Sequence, residues 1–444
     1  MAYIKDTIAA IATPPGKGGI GIVRISGPDA SRIAKEISRK ETEPRVATLV
    51  NFYDSCDRPI DQGLLIHFRG PHSYTGEDLV ELQGHGGPIV MDLLLKAAIE
   101  QGARQAGPGE FSQRAFLNDK IDLVQAEAIA DLINSSSEQA ALGSIRSLQG
   151  DFSNNINLIL KELIQIRVLI EASADFPEDD IEAEIDHDEK LKLEKLSRAL
   201  NELLDGAKDG VALAQGVNLV LTGKPNAGKS SLMNALCRKE VSIVTDIPGT
   251  TRDVVREDAL IEGITFRILD TAGTRKAENK IEAEGVKRAL SEVERADIVL
   301  NLVDLTENFT PEQMEEIEKN KRDRELIVYN KLDLIDYRND LHNFLCVSVK
   351  TGQGLEMLKD KLIKQLGLVN SEASMFSARR RHITAIESTL AHILKATTLI
   401  EHKSQSDICA EELRLAQIAL DSVTGAFSTD DLLGEIFNKF CIGK

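Results

Sequence analysis

The chain has 444 residues, of which 42% are hydrophobic and 28% charged, a composition typical of globular proteins. This length predicts two or three domains, because a single core seldom grows so large. The sequence has no apolar run of about 18 residues that could span a membrane, and Lys5 and Asp6 interrupt any N-terminal export signal.

Charge and cysteine usage indicate which partners and which cellular compartment suit the chain. The formal net charge of −18 would repel a polyanion, so a nucleic-acid contact would need a local basic patch or a basic partner. The five cysteines include no CxxC pair or other metal-binding spacing, which favours a reducing, cytoplasmic compartment.

The first 118 residues contain short, β-branched apolar runs separated by Gly and Pro clusters, for example PPGKGG followed by IGIVRISG. This pattern predicts an α+β domain rich in turns. From Ile121 onward Gly and Pro clusters become rare. Apolar residues then recur at the spacing of one helical face, at Ile156, Ile159, Leu160, Leu163 and Ile164. We therefore predict a helical segment over residues 119–215, in which the acidic run 175–189 forms a solvated turn or a helix start.

The C-terminal part of the chain is predicted to be helical again. One face of that segment carries Leu413, Ala416, Leu420 and Val423. Since the ends of a compact domain often lie close together, a domain can be inserted into a host without disrupting it. We predict that residues 119–215 and 368–444 form one discontinuous helical domain, with residues 216–367 inserted in it.

The most specific motif follows Val217, where an apolar run leads directly into GKPNAGKS, residues 223–230. This is the GxxxxGK[ST] phosphate-binding loop in the strand-to-helix context that it requires. Its amides and the following helix N-terminus favour an anion, while Lys229 neutralises the β- and γ-phosphates and Ser230 can ligate Mg²⁺. The predicted nucleotide contacts in this loop are Asn226, Ala227, Gly228, Lys229, Ser230 and Ser231.

Three further motifs follow in the order found in GTPases. Asp270 ends an apolar strand and starts DTAG, where its carboxylate can hold the magnesium shell and Gly273 can sense the γ-phosphate. Asp333 of NKLD can accept from the ring N–H and exocyclic amine of guanine, a donor pair that adenine lacks. A base-contacting SVK loop completes the set. The predicted contacts are Asp270, Thr271, Ala272, Gly273, Asn330, Lys331, Asp333, Ser348, Val349 and Lys350.

With these motifs the segment resembles the translation-factor-like GTPases, and TDIPGTTRD (245–253) lies where they carry a switch loop. The resemblance assigns Mg²⁺ ligation to Thr251 beside Ser230, and it assigns GTP contacts to Thr245, Asp246, Ile247, Pro248, Gly249, Thr250 and Thr251. The residue after DTAG is Thr274, where Ras-type enzymes place a water-orienting Gln. The resemblance implies that Glu282 positions the water instead, in a catalytic set with Lys229 and Asp270. It also implies a K⁺ ion held by Asn226, Thr245, Ile247 and Thr250.

Long, unusual blocks outside the GTPase segment include IAAIATPPGKGGIGIVRISG, GEDLVELQGHGG, PGEFSQRAFLNDKIDLVQAEAI and the tail IFNKFCIGK. Through them the chain resembles, over essentially its whole length, the MnmE (TrmE) family of tRNA modification GTPases. That resemblance implies an α/β multidomain fold with an N-terminal α+β folate-binding domain (1–118), a discontinuous all-α domain and an inserted Ras-like P-loop GTPase domain. It also implies GTP hydrolysis that, with the flavoprotein MnmG (GidA), adds a carboxymethylaminomethyl-type group at carbon 5 of the wobble uridine of certain tRNAs.

The family resemblance further implies a formyl- or methylene-tetrahydrofolate cofactor, bound by Arg24, Glu81, Lys120 and Lys444. It implies a homodimer joined through the N-terminal domains and a heterotetramer with MnmG, with no membrane partner. From composition alone, a strand Arg or a loop Glu is more often part of a surface ion pair.

Two other functions share some of these motifs. A ribosome-assembly GTPase of the Era or Der type has the same phosphate loop and NKxD, but it needs an RNA-binding appendage, whereas the C-terminal segment here is helical and not visibly basic. A non-catalytic, nucleotide-binding scaffold is disfavoured by the presence of Lys229, Ser230, Thr251 and Asp270.

Overall fold

The computed structural model describes residues 6–175, 182–237, 256–270, 296–307, 309–335, 341–366, 376–400, 406–425, 430–438 and 440–443. The chain divides into two compact units. The first contains Met1–Ala130 and Gln417–Lys444, and the second contains Asp131–Ala416. Each unit has its own β-sheet. The described helices include none that is long and apolar enough to cross a membrane.

The first unit is built on a mixed sheet with the strand order β3-β4-β5-β2-β1-β6. Strands β1 and β6 pair in parallel, and the other neighbours pair antiparallel. The strands are β1 (Ile8–Ile11), β2 (Gly18–Ser26), β3 (Thr48–Tyr53), β4 (Pro59–Phe68), β5 (Leu79–Gly86) and β6 (Arg104–Gln105).

One face of this sheet is covered by α1 (Ala30–Ser38) and α2 (Pro88–Glu100). Alternate strand residues such as Val23, Ile25 and Val80 are fully buried there, as a period-two strand predicts. The unit continues with α3 (Glu110–Leu117) and α4 (Leu123–Ile133), and its last helix is α13 (Asp430–Phe437).

The second unit contains a parallel sheet in the order β11-β10-β7-β9-β8, with β8 antiparallel at one edge. Buried Val, Ile and Leu side chains dominate its strands because both faces are covered. The strands are β7 (Val217–Gly223), β8 (Arg256–Ile261), β9 (Ile264–Asp270), β10 (Ile298–Asp304) and β11 (Glu325–Asn330), and the associated helices are α8 (Lys229–Cys237), α9 (Pro311–Lys319) and α10 (Leu355–Gln365).

Long helices precede and follow that sheet in the chain. They are α5 (Glu138–Gln149), α6 (Asp151–Asp175), α7 (Glu182–Gln215), α11 (Arg380–Leu399) and α12 (Ser406–Thr424). Segments far apart in sequence meet here: the ring of Phe376 stacks on Phe152 with centroids 4.5 Å apart, and Ser147 Oγ donates to Ser377 O at 2.9 Å. The two sheets and the long helices confirm the predicted multidomain α/β architecture with a Ras-like parallel sheet.

Candidate nucleotide site

The phosphate loop connects the end of β7 to the start of α8, as the motif predicts. Gly223 (φ +128°) and Gly228 (φ +100°) have backbone conformations that favour glycine. A Cβ at Gly223 would lie 2.3 Å from Leu302 O on the neighbouring strand. The buried Lys229 Nζ donates to Gly223 O (2.9 Å) and Lys224 O (2.8 Å), so the ammonium group lies across the inside of the loop.

Asn330 of NKLD connects this loop to the SVK loop. Its side chain is 3% exposed, its Nδ2 donates to Ala227 O at 2.8 Å, and its Oδ1 accepts from Val349 N at 3.2 Å. A Cβ at Gly228 would lie only 2.3 Å from Asn330 Nδ2, so glycine is required for this approach. One amide side chain therefore fixes the spacing between the predicted phosphate-binding and base-binding loops.

Asp333 lies at the surface beside the SVK loop, with its carboxylate oriented by a buried hydroxyl. Ser348 Oγ donates to Asp333 Oδ1 at 2.6 Å and accepts from Thr351 N at 3.2 Å. The loop is attached to β11 through Val347 N, which donates to Tyr329 O at 2.8 Å. A fixed, exposed carboxylate can accept paired N–H donors from a purine edge.

Lys331 has a left-handed backbone (φ +70°) and forms an ion pair with Asp304 at the end of β10, with Nζ and Oδ2 2.5 Å apart. Burial would raise the pKa of Asp304, but hydrogen bonds from Lys331 and Thr306 outweigh it and hold the pKa below its usual range. The ion pair thus links the ends of two adjacent strands under the turn that carries Asp333. Asp304 was not among the predicted site residues, although a carboxylate at the end of an apolar strand was the available signal.

The remaining predicted residues of the site divide into two groups. Asn226 (φ +63°), Ser230 and Ser231 are exposed around the phosphate loop, Lys350 is exposed in the SVK loop, and Asp270 is the last residue of β9. Outside the described residues lie Thr245, Asp246, Ile247, Pro248, Gly249, Thr250, Thr251, Thr271, Ala272, Gly273 and Glu282.

The strands β7, β9, β10 and β11 are parallel, so their carboxyl ends share one edge of the sheet. That edge presents a glycine-rich loop at a helix N-terminus, a lysine inside the loop and an oriented carboxylate nearby. Ligands of open α/β sheets bind at this edge, and the loop and helix amides suit phosphate. The arrangement can hold a nucleoside triphosphate with its base toward Asp333.

The predicted folate-binding residues lie in the first unit. Arg24 and Glu81 are directly opposite on β2 and β5, and Arg24 Nη2 is 2.8 Å from Glu81 Oε1 in a half-buried ion pair. Two rings flank the guanidinium: Tyr74 and Phe111, whose centroids are 5.6 and 5.8 Å from Arg24 Cζ. Burial raises the pKa of Tyr74, so its hydroxyl stays neutral and shares a hydrogen bond with Ser112 Oγ at 2.8 Å.

Lys120 is exposed, and its side chain runs past Gly76, where a Cβ would lie 3.4 Å from its Cγ and Cδ. Lys444 lies outside the described residues. Tyr74 and Phe111 were not predicted from the sequence, because their proximity to Arg24 depends on how distant segments pack. An isolated Tyr or Phe carries no ligand-binding signal of its own.

Comparison with known proteins gives full-length matches. A family model described as the MnmE helical domain matches residues 123–441, and one described as the GTP-binding protein TrmE N-terminus matches residues 7–120. The tRNA modification GTPase MnmE of Francisella tularensis subsp. holarctica (strain FTNF002-00 / FTA) is 47% identical over 454 aligned positions, covering 100% of both chains. The protein of the same description from Hydrogenovibrio crunogenus (strain DSM 25203 / XCL-2) is 46% identical and covers 99% of both.

Solved structures match over a smaller part of the chain. An Era variant of Aquifex aeolicus bound to GDP and AlF4⁻ is 24% identical, with a TM-score of 0.26, covering 40% of this chain and 67% of that one. The G domain of the T. maritima FeoB iron transporter is 28% identical, with a TM-score of 0.24, covering 34% of this chain and 98% of that one.

The two family models leave few residues unmatched, and the relatives share almost half of the residues over their whole length. The nucleotide-site geometry and the half-buried pair of Arg24 and Glu81 occur in the segments that these models match. The chain therefore belongs to the MnmE (TrmE) family of tRNA modification GTPases.

Proposed function

We propose that this protein hydrolyses GTP to drive modification of tRNA at carbon 5 of the wobble uridine, in a cytoplasmic complex with a flavoprotein of the MnmG (GidA) type. The observation that carries the GTPase part is the position of Asn330, bonded to the phosphate loop at Ala227 and to the SVK loop at Val349. That side chain sets the distance between phosphate and base. The tRNA part is supported by the full-length relatives, which are described as tRNA modification GTPases.

Binding of GTP follows from the groups at the sheet edge. The phosphates would replace the carbonyls of Gly223 and Lys224 as acceptors for Lys229 Nζ, and a γ-phosphate would gain a full positive charge at short range. Guanine would donate its ring N–H and exocyclic amine to Asp333, whose orientation Ser348 maintains. ATP would be disfavoured because adenine leaves this carboxylate without that donor pair.

For hydrolysis we assign water positioning to Glu282 and phosphate contact to Lys229, with Asp270 in the magnesium shell. Ser230 and Thr251 would hold Mg²⁺, which when bound neutralises charge on the β- and γ-phosphate oxygens. The exposed Ser230 at the start of α8 suits this ligand role. A K⁺ ion would be held by Asn226 with Thr245, Ile247 and Thr250, and the exposed, left-handed Asn226 at the loop tip suits such a contact.

For the first unit we propose a formyl- or methylene-tetrahydrofolate site at Arg24, Glu81, Lys120 and Lys444. The fit rests on a half-buried Arg24–Glu81 pair between two aromatic rings. A pterin can stack on a ring and donate N–H groups to Glu81, while a glutamate tail suits cationic side chains. The cofactor would supply a one-carbon group, and these residues would bind and orient it.

The assembly we propose is a homodimer joined through its N-terminal domains (1–118), which forms a heterotetramer with the MnmG-type partner. Residues 119–215 and 368–444 would form the helical domain, and 216–367 the G domain. The packing of Phe376 on Phe152 and of Ser377 on Ser147 supports a joint fold of the two helical segments. Activation would come from approach of the two G domains in the dimer.

GTP turnover by the purified chain in KCl and in NaCl tests the proposal, with Asp270→Ala as the inactive control. We expect turnover that is faster in K⁺ and lost in the variant, because the magnesium shell would be incomplete. Equal rates in both salts would remove the potassium-dependent mechanism and leave a GTPase of another kind. Turnover that persists in Asp270→Ala would refute the assigned site.

A further inference from the structure

A cavity of about 480 Å³ lies beside α1 in the first unit. His67 and Val80, which line it, share the helix-covered face of the sheet, whereas Arg24 and Glu81 alternate with that face and point to the other side. The cavity is therefore separate from the proposed folate site. Its volume falls within the range of ordinary ligand pockets.

The charged lining of the cavity is mainly cationic. Its six charged side chains are Arg32, Lys35, Lys40, Arg69, Glu41 and Asp78. Lys35 pairs with Glu41 at 2.5 Å, and Lys40 Nζ donates to Leu49 O at 3.3 Å. In the part of the chain that the structure describes, neither Lys40 nor Arg69 has a carboxylate within ion-pair distance. Arg32 is paired with Asp29 and Lys35 with Glu41, so Lys40 and Arg69 outweigh the remaining carboxylate, Asp78. In a chain of net charge −18, this net positive lining makes the cavity locally attractive to an anion.

His67 provides a second, independent observation. Its side chain is 8% exposed, it lines the cavity, and its Nε2 has no hydrogen-bond partner among the described residues. Buried polar atoms are nearly always hydrogen-bonded, so an atom without a partner needs an explanation, and a group bound in the cavity would supply one. In the tautomer with a proton on Nε2, the ring can donate to an anionic oxygen. A phosphate in the cavity would accept from His67 and compensate the charges of Lys40 and Arg69.

We propose that this cavity binds a phosphate group of tRNA. The inference rests on the proposed tRNA-modifying function and locates one of its tRNA contacts on the first unit. A tRNA backbone is the phosphate source favoured here, because an acidic chain must contact a polyanion through a local cationic site. Lys40 and Arg69 would supply sequence-independent charge contacts, and His67 a positioned donor.

The test compares tRNA binding by two double variants of the full-length chain that remove equal charge. One is Lys40→Ala with Arg69→Ala, and the control is Lys319→Ala with Lys364→Ala on α9 and α10, where both lysines are exposed. Fluorescence anisotropy with unmodified tRNA is measured at several salt concentrations. We expect the cavity variant to bind about five- to tenfold more weakly and its slope of log K against log salt to fall by about one or two, with the control unchanged.

Each other outcome contradicts the proposal. Wild-type affinity in the cavity variant, an equal loss in both double variants, or no tRNA binding by the wild-type chain at about 50 mM salt would overturn it. Calorimetry with inorganic phosphate separates the two possible sources. If the cavity variant loses phosphate binding but keeps tRNA affinity, the site serves a free phosphate compound and the tRNA assignment is wrong.

GTP turnover of the same variants separates this inference from the proposed GTPase function. The residues of the cavity belong to the first unit and those of the nucleotide site to the second, so we expect normal turnover in both double variants. Loss of wild-type turnover would contradict the GTPase function and leave the tRNA-binding result to be judged on its own.

Discussion

The side chain of Asn330 connects two loops of the proposed nucleotide site, because it satisfies one backbone group in each of them. The amide is almost completely buried and bonds to Ala227 O and Val349 N. Leaving such buried groups without partners costs about 1–3 kcal/mol each. These two hydrogen bonds therefore stabilise the present separation of the loops, which the proposed binding of a triphosphate and its base requires.

Gly228→Ala should disrupt this connection by steric collision. The added Cβ would meet Asn330 Nδ2 at 2.3 Å on a backbone with φ +100°, so the amide must move. We expect kcat/KM for GTP to fall about 100-fold, as for an ångström-scale displacement in other sites. In an Asn330→Ala background the collision partner is absent, and the same change should cost only about fivefold through backbone strain. A 100-fold loss in both backgrounds would show that the collision is not the cause.

Asp333→Asn should change which purine the site accepts. Guanine presents two donors, its ring N–H and its exocyclic amine, so the NH2 group of an Asn side chain would face that amine without an acceptor. Xanthine presents the ring N–H and a carbonyl instead, which match the oxygen and the NH2 group of Asn. We expect GTP affinity to fall at least about 100-fold and xanthosine triphosphate to bind in its place. The exposed Asp360→Asn on α10 is the control. Unchanged GTP affinity in Asp333→Asn, measured by nucleotide displacement, would remove Asp333 from the base site.

Among individual residues, the sequence could predict those whose role depends on a local motif. The motif alone assigns a loop function to Lys229, and the structure places its ammonium group inside the loop. Asp304 was missed because its partner, Lys331, lies in the turn that follows the neighbouring strand. Tyr74 was missed for the same reason, since its approach to Arg24 depends on tertiary packing.

Among the elements, helix α6 joins the two helical segments through aromatic packing. Phe152 near its start is fully buried, stacks on Phe376 at 4.5 Å and lies 5.3 Å from the ring of His382. A Cβ on Gly210 of α7 would lie 2.3 Å from Phe376 O, so the segment that carries Phe376 passes very close to this helix. Packing against Phe152 thus stabilises the position of Phe376, which lies more than 200 residues later in the chain.

Phe152→Ala should destabilise the second unit by about 3–5 kcal/mol, because it removes a large ring from a closely packed cluster. The exposed Leu158 on the same helix provides the control, and Leu158→Ala should change stability by less than about 0.5 kcal/mol. Urea unfolding monitored by helical circular dichroism measures both. A Phe152→Ala variant as stable as the control would show that the two helical segments do not depend on this contact.

The spacing of apolar residues predicted which faces of two helices are buried. The residues Leu413, Ala416, Leu420 and Val423 are all fully buried, as their spacing on α12 predicts. On α6 the predicted Ile156, Ile159 and Leu163 are buried, and Leu160 and Ile164 are half-buried. Phe152 was not selected because it lies before the first residue of the periodic run. Periodicity identifies the face of a helix, but the packing partner of each residue is a tertiary property.

At the scale of the molecule, the two ends of the described chain meet in the first unit. Gly443 (φ +97°) approaches β1 so closely that a Cβ there would lie 2.2 Å from Ile11 O, and Gly109 N donates to Cys441 O at 3.2 Å. Helix α13 contributes Phe437, which is 2% exposed and lies beside Phe116 and Phe440. Composition could not predict these contacts between the C-terminal residues and the first unit, because they join residues more than 300 positions apart in the sequence.

Phe437→Ala should therefore loosen a sheet that begins near residue 8. Loss of the buried ring should cost about 3–5 kcal/mol, so amides of β1 and β2 that exchange through opening of this unit should exchange about 100- to 4,000-fold faster. The exposed Asn438 is the matched control, and Asn438→Ala should leave exchange unchanged. A GTP analogue should slow exchange in β7 and α8 of both variants without restoring β1 in Phe437→Ala, since the ligand stabilises only the unit that binds it. Unchanged exchange in β1 and β2 would show that the C-terminal helix is dispensable for the sheet of the first unit.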